Sequence, residues 1–393
     1  MQNDILQAMD EQHVTVLVLL DLSAAFDTVE HSVLLDRLEN RLGITGFALN
    51  WMKSYLENRK QTVVIKNVRS ESQNLDCGVP QGSVLGPILF TLYTSPLGDI
   101  VRKHGLLFHL YADDTQLYLS FNSSTQNNAD TAVQKITNCI SEIRRWMAVN
   151  NLKLNDDKTE VLVLGKKEHR SKISIPSLMI GNSSVQVANS ARNIGIIQDK
   201  ELNMEKHISA ICKSAHYHLR NIGQIRKYLN KKSTEAIVHA FVSSKLDNGN
   251  SLLYGLPLTQ INRLQRVQNT AARIIMRLKK FEHVSGHLKS LHWLPVKARI
   301  DFKILLLTYK ALNGQAPVYI KELLQPYKSP RNQRLNQKGL LHVPQTRYAT
   351  CGDRAFYKAA PKLWNNLPIE IKHKKTLMQF KNALKSYLFI KYS

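Results

Sequence analysis

The hydrophobic pattern changes character along this chain. Up to residue 165 it mixes apolar blocks, alternation and helical spacing; beyond residue 205 helical spacing takes over. His13–Leu20 (HVTVLVLL) is a nearly continuous β-branched and aliphatic run, which predicts a strand buried on both faces. Glu30–Leu42 repeats apolar residues at helical spacing (Val33, Leu34, Leu38, Leu42), with Gly43 as a stop. Phe47–Leu56 predicts a short helix, Gln61–Lys66 alternates like a strand, and Glu71–Cys77 is its expected partner. Gly78–Pro87 (GVPQGSVLGP) packs three glycines and two prolines into ten residues, a shaped loop leading into an apolar helix over 88–100. Leu106–Phe121 has two apolar runs around Asp113 and Asp114, which predicts a hairpin with both acids at its tip. Ala129–Val149 is amphipathic and helical, and Leu152–Leu154 and Val161–Leu164 read as short strands around the polar turn NDDKTE. The order of elements predicts an α+β fold, an antiparallel sheet with helices on one face.

Gly165–Val187 is polar, rich in Ser and Asn, and marks a boundary; Ile194–Ile197 reads as a short strand. Helices are predicted over 205–229, 233–246, 260–278, 288–312 (interrupted at Pro295) and 380–390. Pro326–Tyr348 is basic, contains prolines and is poor in apolar residues, so an exposed basic loop is expected. The pattern divides the chain into 1–165, 166–255 and 256–393.

Composition narrows the class. The chain has 393 residues, 43% of them hydrophobic, enough for two or three cored domains. No apolar run nears the roughly 18 residues of a membrane span, and the N-terminus has no secretory pattern, so an intracellular, membrane-free protein is expected. Cys77, Cys139, Cys212 and Cys351 lie far apart, which argues against a zinc module or a disulfide framework. The net charge of +24 is lopsided: residues 1–200 hold 20 Lys and Arg against 21 Asp and Glu, whereas residues 201–393 hold 34 against 9. A basic half beside a neutral half with clustered acids suggests a polyanion held by one region and processed by another.

The chemistry centres on acids. Two carboxylates about 4 Å apart repel by roughly 4 kcal/mol at an effective dielectric near 20, which a bound cation relieves. Neighbouring aspartates on a strand point apart, so one of Asp113 and Asp114 dominates and a third acid must complete the site. Asp21, directly after the first buried strand, can reach the same sheet edge. Taken singly, Asp21 also reads as a helix cap, and the Asp113–Asp114 pair as an ordinary polar turn.

Four phrases occur in a telling order: FDTV after Asp21, GVPQGSVLGP, YADD and NDDKTE. Together they resemble palm motifs A to D of reverse transcriptases, most nearly those of LINE-type, non-long-terminal-repeat retrotransposons. LLDLSAAFDTV, LYADDTQLY, LHWLPVKARIDFK and APKLWNNLP are similar to the same group. The resemblance implies a polymerase palm followed by a mainly helical basic thumb and C-terminal region. It implies an RNA-directed DNA polymerase adding dNTPs to a DNA primer on an RNA template. In-line displacement at phosphorus needs two Mg2+ ions about 3.5–4 Å apart, held by carboxylates, phosphate and water. Asp21 and Asp113 would bridge the ions, Asp114 would be secondary, and the Leu22 carbonyl would be a further ligand. Phe26 would be the gate against a ribose 2′ hydroxyl, Gln81 and Gly82 would contact nucleotide and template pair, and Tyr111 would lie against the primer end. Lys158 would sit by the triphosphate and protonate the leaving pyrophosphate. Plain alternatives for these are core packing (Phe26), a hairpin aromatic (Tyr111) and a turn lysine (Lys158).

The sequence departs from the family by lacking an endonuclease domain and most of the fingers ahead of Asp21. The expectation is a fragment with weak or no polymerase activity alone. The competing reading is a non-catalytic nucleic-acid-binding remnant of such an element; a third, an RNA-templated RNA polymerase, is disfavoured by Phe26.

Overall fold

The computed structural model describes all residues except 24, 182, 328–338 and 393. The chain separates into two compact units: residues 12–194 with Met1, and residues 2–11 with 195–393. Helix α1 (Gln2–Asp10), which the sequence reading passed over, belongs to the second unit although it precedes strand β1 (His13–Ser23).

The first unit is built on a four-stranded antiparallel sheet. Its strands are β1, β2 (Leu107–Tyr111), β3 (Asp114–Asn122) and β4 (Lys153–Leu164), in the order β2-β3-β1-β4. The alternation in β1 decides the packing. Val14, Val16, Val18, Leu20 and Leu22 point to one face and are at most 6% exposed. They share a core with Leu89, Phe90 and Tyr93 of α4 (Gly86–Thr94). The same core takes Ile136, Cys139, Ile140 and Ile143 of α6 (Gln126–Val149). Thr15 and Leu17, on the opposite face, are also fully buried, as a continuous apolar run requires. Helices α2 (His31–Asp36), α3 (Gly46–Leu56) and α5 (Leu97–Lys103) also pack on this core through Leu34, Leu56, Leu97 and Val101. Arg37, just past α2, donates to the Tyr93 carbonyl and to Asn150 Oδ1, with its guanidinium 4.4 Å from the Tyr93 ring centre.

Two expectations need correction here. NDDKTE does not separate two strands. β4 runs through it, with a register break in which residues 156–159 face the single residue Leu20: Leu19 pairs with Glu160 and Asp21 with Asn155. The region after residue 165 is not a boundary either. A hairpin of β5 (Ser177–Ile180) and β6 (Ser183–Gln186) forms there, Leu178 and Ile180 enter the sheet unit's core, and Val187 bridges to Val161.

The second unit is mainly helical: α1, α7 (Glu205–Ile225), α8 (Lys231–Val238), α9 (Leu258–Met276), α10 (Val296–Leu312), α11 (Phe356–Asn365) and α12 (Leu377–Lys391). A single buried cluster extends from Ile196 to Leu388, so nothing divides the unit at residue 255. Local devices tie it together. Arg226 donates to the carbonyls of Ile274 and Ile275, capping the end of α9. The Asp10 carboxylate accepts the backbone N–H groups of Arg347 and Tyr348, which fastens α1 to this unit. Helix α11 has Pro361 inside it; burial of Ala359, Ala360, Leu363 and Trp364 carries it despite that residue. Of the basic loop expected over 326–348, residues 328–338 lie outside the described residues. The remainder is not wholly exposed: Leu341 is 3% exposed and its N–H is held by Asn365 Oδ1 at 2.9 Å. No helix among the described residues is long and apolar enough to cross a membrane, and all four cysteines are free.

Candidate active site

The sheet register assembles the acids. β1 pairs with β3 from His13–Asn122 to Leu20–Thr115, which leaves Asp21 and Asp114 adjoining the last pair, where the charge of Asp21 bears on Asp114. β2 and β3 join through a two-residue turn, Ala112–Asp113, closed by the pair Tyr111–Asp114. Ala112 sits at φ 51°, a conformation that Gly or Asn adopts with less strain. Asp113 is half-buried in this turn and Asp114 is exposed at the head of β3. Burial of its carboxyl, then the charges of Asp113 and Asp21, hold Asp114 above the usual carboxylate range. Asp114 is nonetheless exposed by surface area, so solvent screens much of this coupling.

Asp21 is the most constrained of the three. It lies inside β1 rather than after it, and its Oδ2 is buried without a hydrogen bond. Lys158 stands 3.5 Å from that oxygen. The register break in β4 delivers the lysine, since residues 156–159 bulge out opposite Leu20. Arg144 on α6 pairs with Asp156 and pins the bulge; Thr159 closes it by donating to the Asn155 carbonyl at 3.0 Å. No motif flagged Arg144: its role exists only once α6 and β4 have docked. Leu22 is 6% exposed and paired with Leu154, so its side chain belongs to the core and only its backbone is offered to the site.

The glycine loop is moored to the segment after β1. Gly78 donates to Val29 O at 2.7 Å and Val79 to Phe26 O at 2.8 Å. Gly78 has φ +85°, and a Cβ there would stand 2.9 Å from the Asp27 carbonyl oxygen, so only glycine fits. Its own carbonyl accepts from Arg59 at 2.7 Å and His31 at 2.8 Å, two residues with no sequence signal. Phe26 is half-buried with its ring 5.1 Å from that of Phe90, so it serves packing whatever else it does. Gln81 and Gly82 are exposed at the loop tip, and Tyr111 is 62% exposed beside the acid turn.

The structure therefore brings Asp21, Asp113, Asp114 and Lys158 to one sheet edge, and ties Phe26 to the glycine loop. Among the described residues, no three or more His, Cys, Asp or Glu side chains are gathered as a finished metal cage.

A family model described as reverse transcriptase (RNA-dependent DNA polymerase) matches residues 2–236, more than half of the chain. This chain belongs to the reverse transcriptase family. Within that family it is of the LINE type. It is 30% identical over 288 residues to a probable RNA-directed DNA polymerase from transposon BS of Drosophila melanogaster, covering 69% of this chain and 30% of that protein. The corresponding enzyme from transposon X-element of the same organism is 29% identical, over 69% of this chain and 29% of that protein. The RNA-directed DNA polymerase from mobile element jockey of Drosophila melanogaster is 24% identical over 70% and 30% of the two chains. The chain thus spans about 30% of the length of these relatives. Among solved structures, apo telomerase from Candida tropicalis aligns over 76% of this chain and 50% of that one, at 12% identity and a TM-score of 0.38.

Proposed function

We propose that this chain carries the catalytic centre of an RNA-directed DNA polymerase, joining dNTPs to a DNA primer on an RNA template. The observation that carries the reading is the convergence of Asp21 and Asp114 on neighbouring strands, with Asp113 at the adjoining turn. The donor set suits Mg2+: hard carboxylate oxygens, one of them buried without a hydrogen bond, and an Asp114 carboxyl raised by burial and then by the charges of Asp113 and Asp21. Asp21, Asp113, Asp114 and the Leu22 carbonyl would hold two Mg2+ ions, which when bound activate the attacking oxygen and steady the leaving group.

The chain's own residues do the rest. Lys158, exposed and held to Asp21 by one contact of 3.5 Å, is free to swing to a triphosphate and give a proton to the departing pyrophosphate. Phe26, fixed against Phe90, sets the floor of the sugar pocket and excludes a 2′ hydroxyl. Gln81 and Gly82 bear on the nucleotide and its template partner, with Gly82 at φ +83° and open space where a side chain would lie. Tyr111 flanks the primer terminus. The basic helical unit takes the A-form hybrid by charge and shape, as a thumb and C-terminal region.

Primer extension with poly-rA, oligo-dT and Mg2+ tests the reading. Incorporation that disappears in Asp113→Ala supports it; incorporation that persists in that variant overturns the acid assignment. The charge of residues 201–393, 34 Lys and Arg against 9 Asp and Glu, favours a second reading, a non-catalytic nucleic-acid-binding remnant of such an element. That reading expects hybrid binding with no incorporation at all. Phe26→Ala with ribonucleotides tests the gate, and no gain in ribonucleotide uptake counts against it.

A further inference from the structure

LHWLPVKARIDFK has no task in the polymerase reading, yet it forms one wall of a cavity in the helical unit. This cavity, of about 820 Å³, opens between α9, the start of α10 and the loop joining them. Ligand sites commonly enclose about 300–1,000 Å³, so a nucleotide fits.

Three observations converge on it. The first is unmet donors. The indole N–H of Trp293 and the Nε–H of Arg273 are both buried, both without a hydrogen-bond partner, and both residues line this cavity. Trp293 is only 4% exposed. A buried donor left unpaired costs about 1–3 kcal/mol, so a ligand rich in acceptors is favoured there. The second is charge. Lys280, Lys289 and Lys297 surround the opening with Arg273, and Glu282 is the one acid on the lining. Glu282 is already engaged, accepting the Lys279 N–H at 2.9 Å. The third is an aromatic face left in water. Phe281 is 88% exposed, with the Lys280 ammonium 5.4 Å from its ring centre. An exposed ring beside cations is a platform on which a base of any identity can stack.

We propose that this cavity binds an unstacked base of a single-stranded nucleic acid. Phe281 stacks on the base, Trp293 and Arg273 donate to its acceptors or to the adjoining phosphate, and Lys280, Lys289 and Lys297 hold the flanking backbone. A base inside a duplex keeps both faces covered by its neighbours and cannot offer one to Phe281. The site therefore separates single strands from the hybrid. These contacts stand independently of the acid cluster and hold whether or not the chain polymerises.

The test uses the whole chain without dNTPs, so polymerisation cannot influence the result. Fluorescence anisotropy is read with a labelled mixed-sequence RNA of about 12 nucleotides, and with the same RNA annealed to complementary DNA. Phe281→Ala is expected to weaken single-strand binding by about 5- to 100-fold and hybrid binding by less than about 2-fold. Trp293→Phe keeps a ring and deletes the N–H, and is expected to weaken single-strand binding by about 3- to 10-fold. The proposal is overturned if Phe281→Ala binds the single strand within about 2-fold of the parent, or weakens strand and hybrid alike. Phe281 is exposed, so its replacement leaves the fold intact and decides the matter even if Trp293→Phe fails to fold.

Discussion

In the sheet unit, each charge at the candidate site has a fixed address. Asp21 is held by strand register, Lys158 by a bulge, and the glycine loop by two backbone bonds to the segment that follows β1. In the helical unit the charges are many and few are locked. Its cations line faces whose other side supplies the core, and most of them have open water around them. The difference teaches where this protein is brittle. Moving one atom in the sheet unit disturbs the proposed reacting geometry, whereas moving one lysine in the helical unit shifts a summed field.

The comparison can be broken or sharpened by substitution, beginning with the largest effect. If Asp113 holds metal as proposed, Asp113→Asn should lower primer extension by at least about 1,000-fold while hybrid binding stays within about 3-fold, because losing a ligand removes chemistry and not backbone contacts. Parallel loss of both, read by extension and anisotropy, would make the acid a structural residue. Gly78→Ala should destabilise the sheet unit by about 2–4 kcal/mol in denaturant melts, since φ +85° and a Cβ 2.9 Å from the Asp27 oxygen cannot both be relieved. An unchanged midpoint would mean the loop is not moored as described.

Lys158→Met should lower the rate of single-turnover incorporation by about 10- to 100-fold with little change in stability, because the lysine is exposed and its ion pair weak. Equal rates would return Lys158 to an ordinary turn lysine. Asp114→Asn tests the raised carboxyl. A raised pKa means the folded state holds this proton more tightly than the unfolded chain. Its penalty is therefore absent below the unfolded value and complete above the folded one. The variant should melt slightly higher than the parent at neutral pH and equally at about pH 3. A lower melting temperature at neutral pH would refute the cost of burying this charge beside Asp113 and Asp21. The smallest effect is the mirror of Gly78 in the other unit. Gly223 is exposed within α7 with nothing within 4 Å of a Cβ, so Gly223→Ala should stabilise by about 0.5–1 kcal/mol, read as a raised melting midpoint.

Much of the site was legible because its signals are local. A β-branched run ending at an aspartate, two acids between apolar flanks, and a glycine–proline loop each announce their own geometry, and their order along the chain identified the family. The helices of the second unit were legible for the same reason, since 3.6-residue spacing is written in neighbours. Other features depended on partners far away in sequence. Pro361 argues against α11, and only the core it joins overrides that. α1 carries no strong pattern of its own and is held in the helical unit by Asp10 against Arg347 and Tyr348.

The sequence by itself determined which residues could do chemistry here, because acids, glycines and apolar periods are properties of the chain. The tertiary structure decided which of them meet. Register set Asp21 beside Asp114, a bulge that no periodicity announces turned Lys158 to the buried oxygen, and the junction of α9 with α10 left the Trp293 indole N–H and the Arg273 Nε–H without acceptors. Each depends on pairing between distant segments, where a shift of one residue sends a side chain to the opposite face.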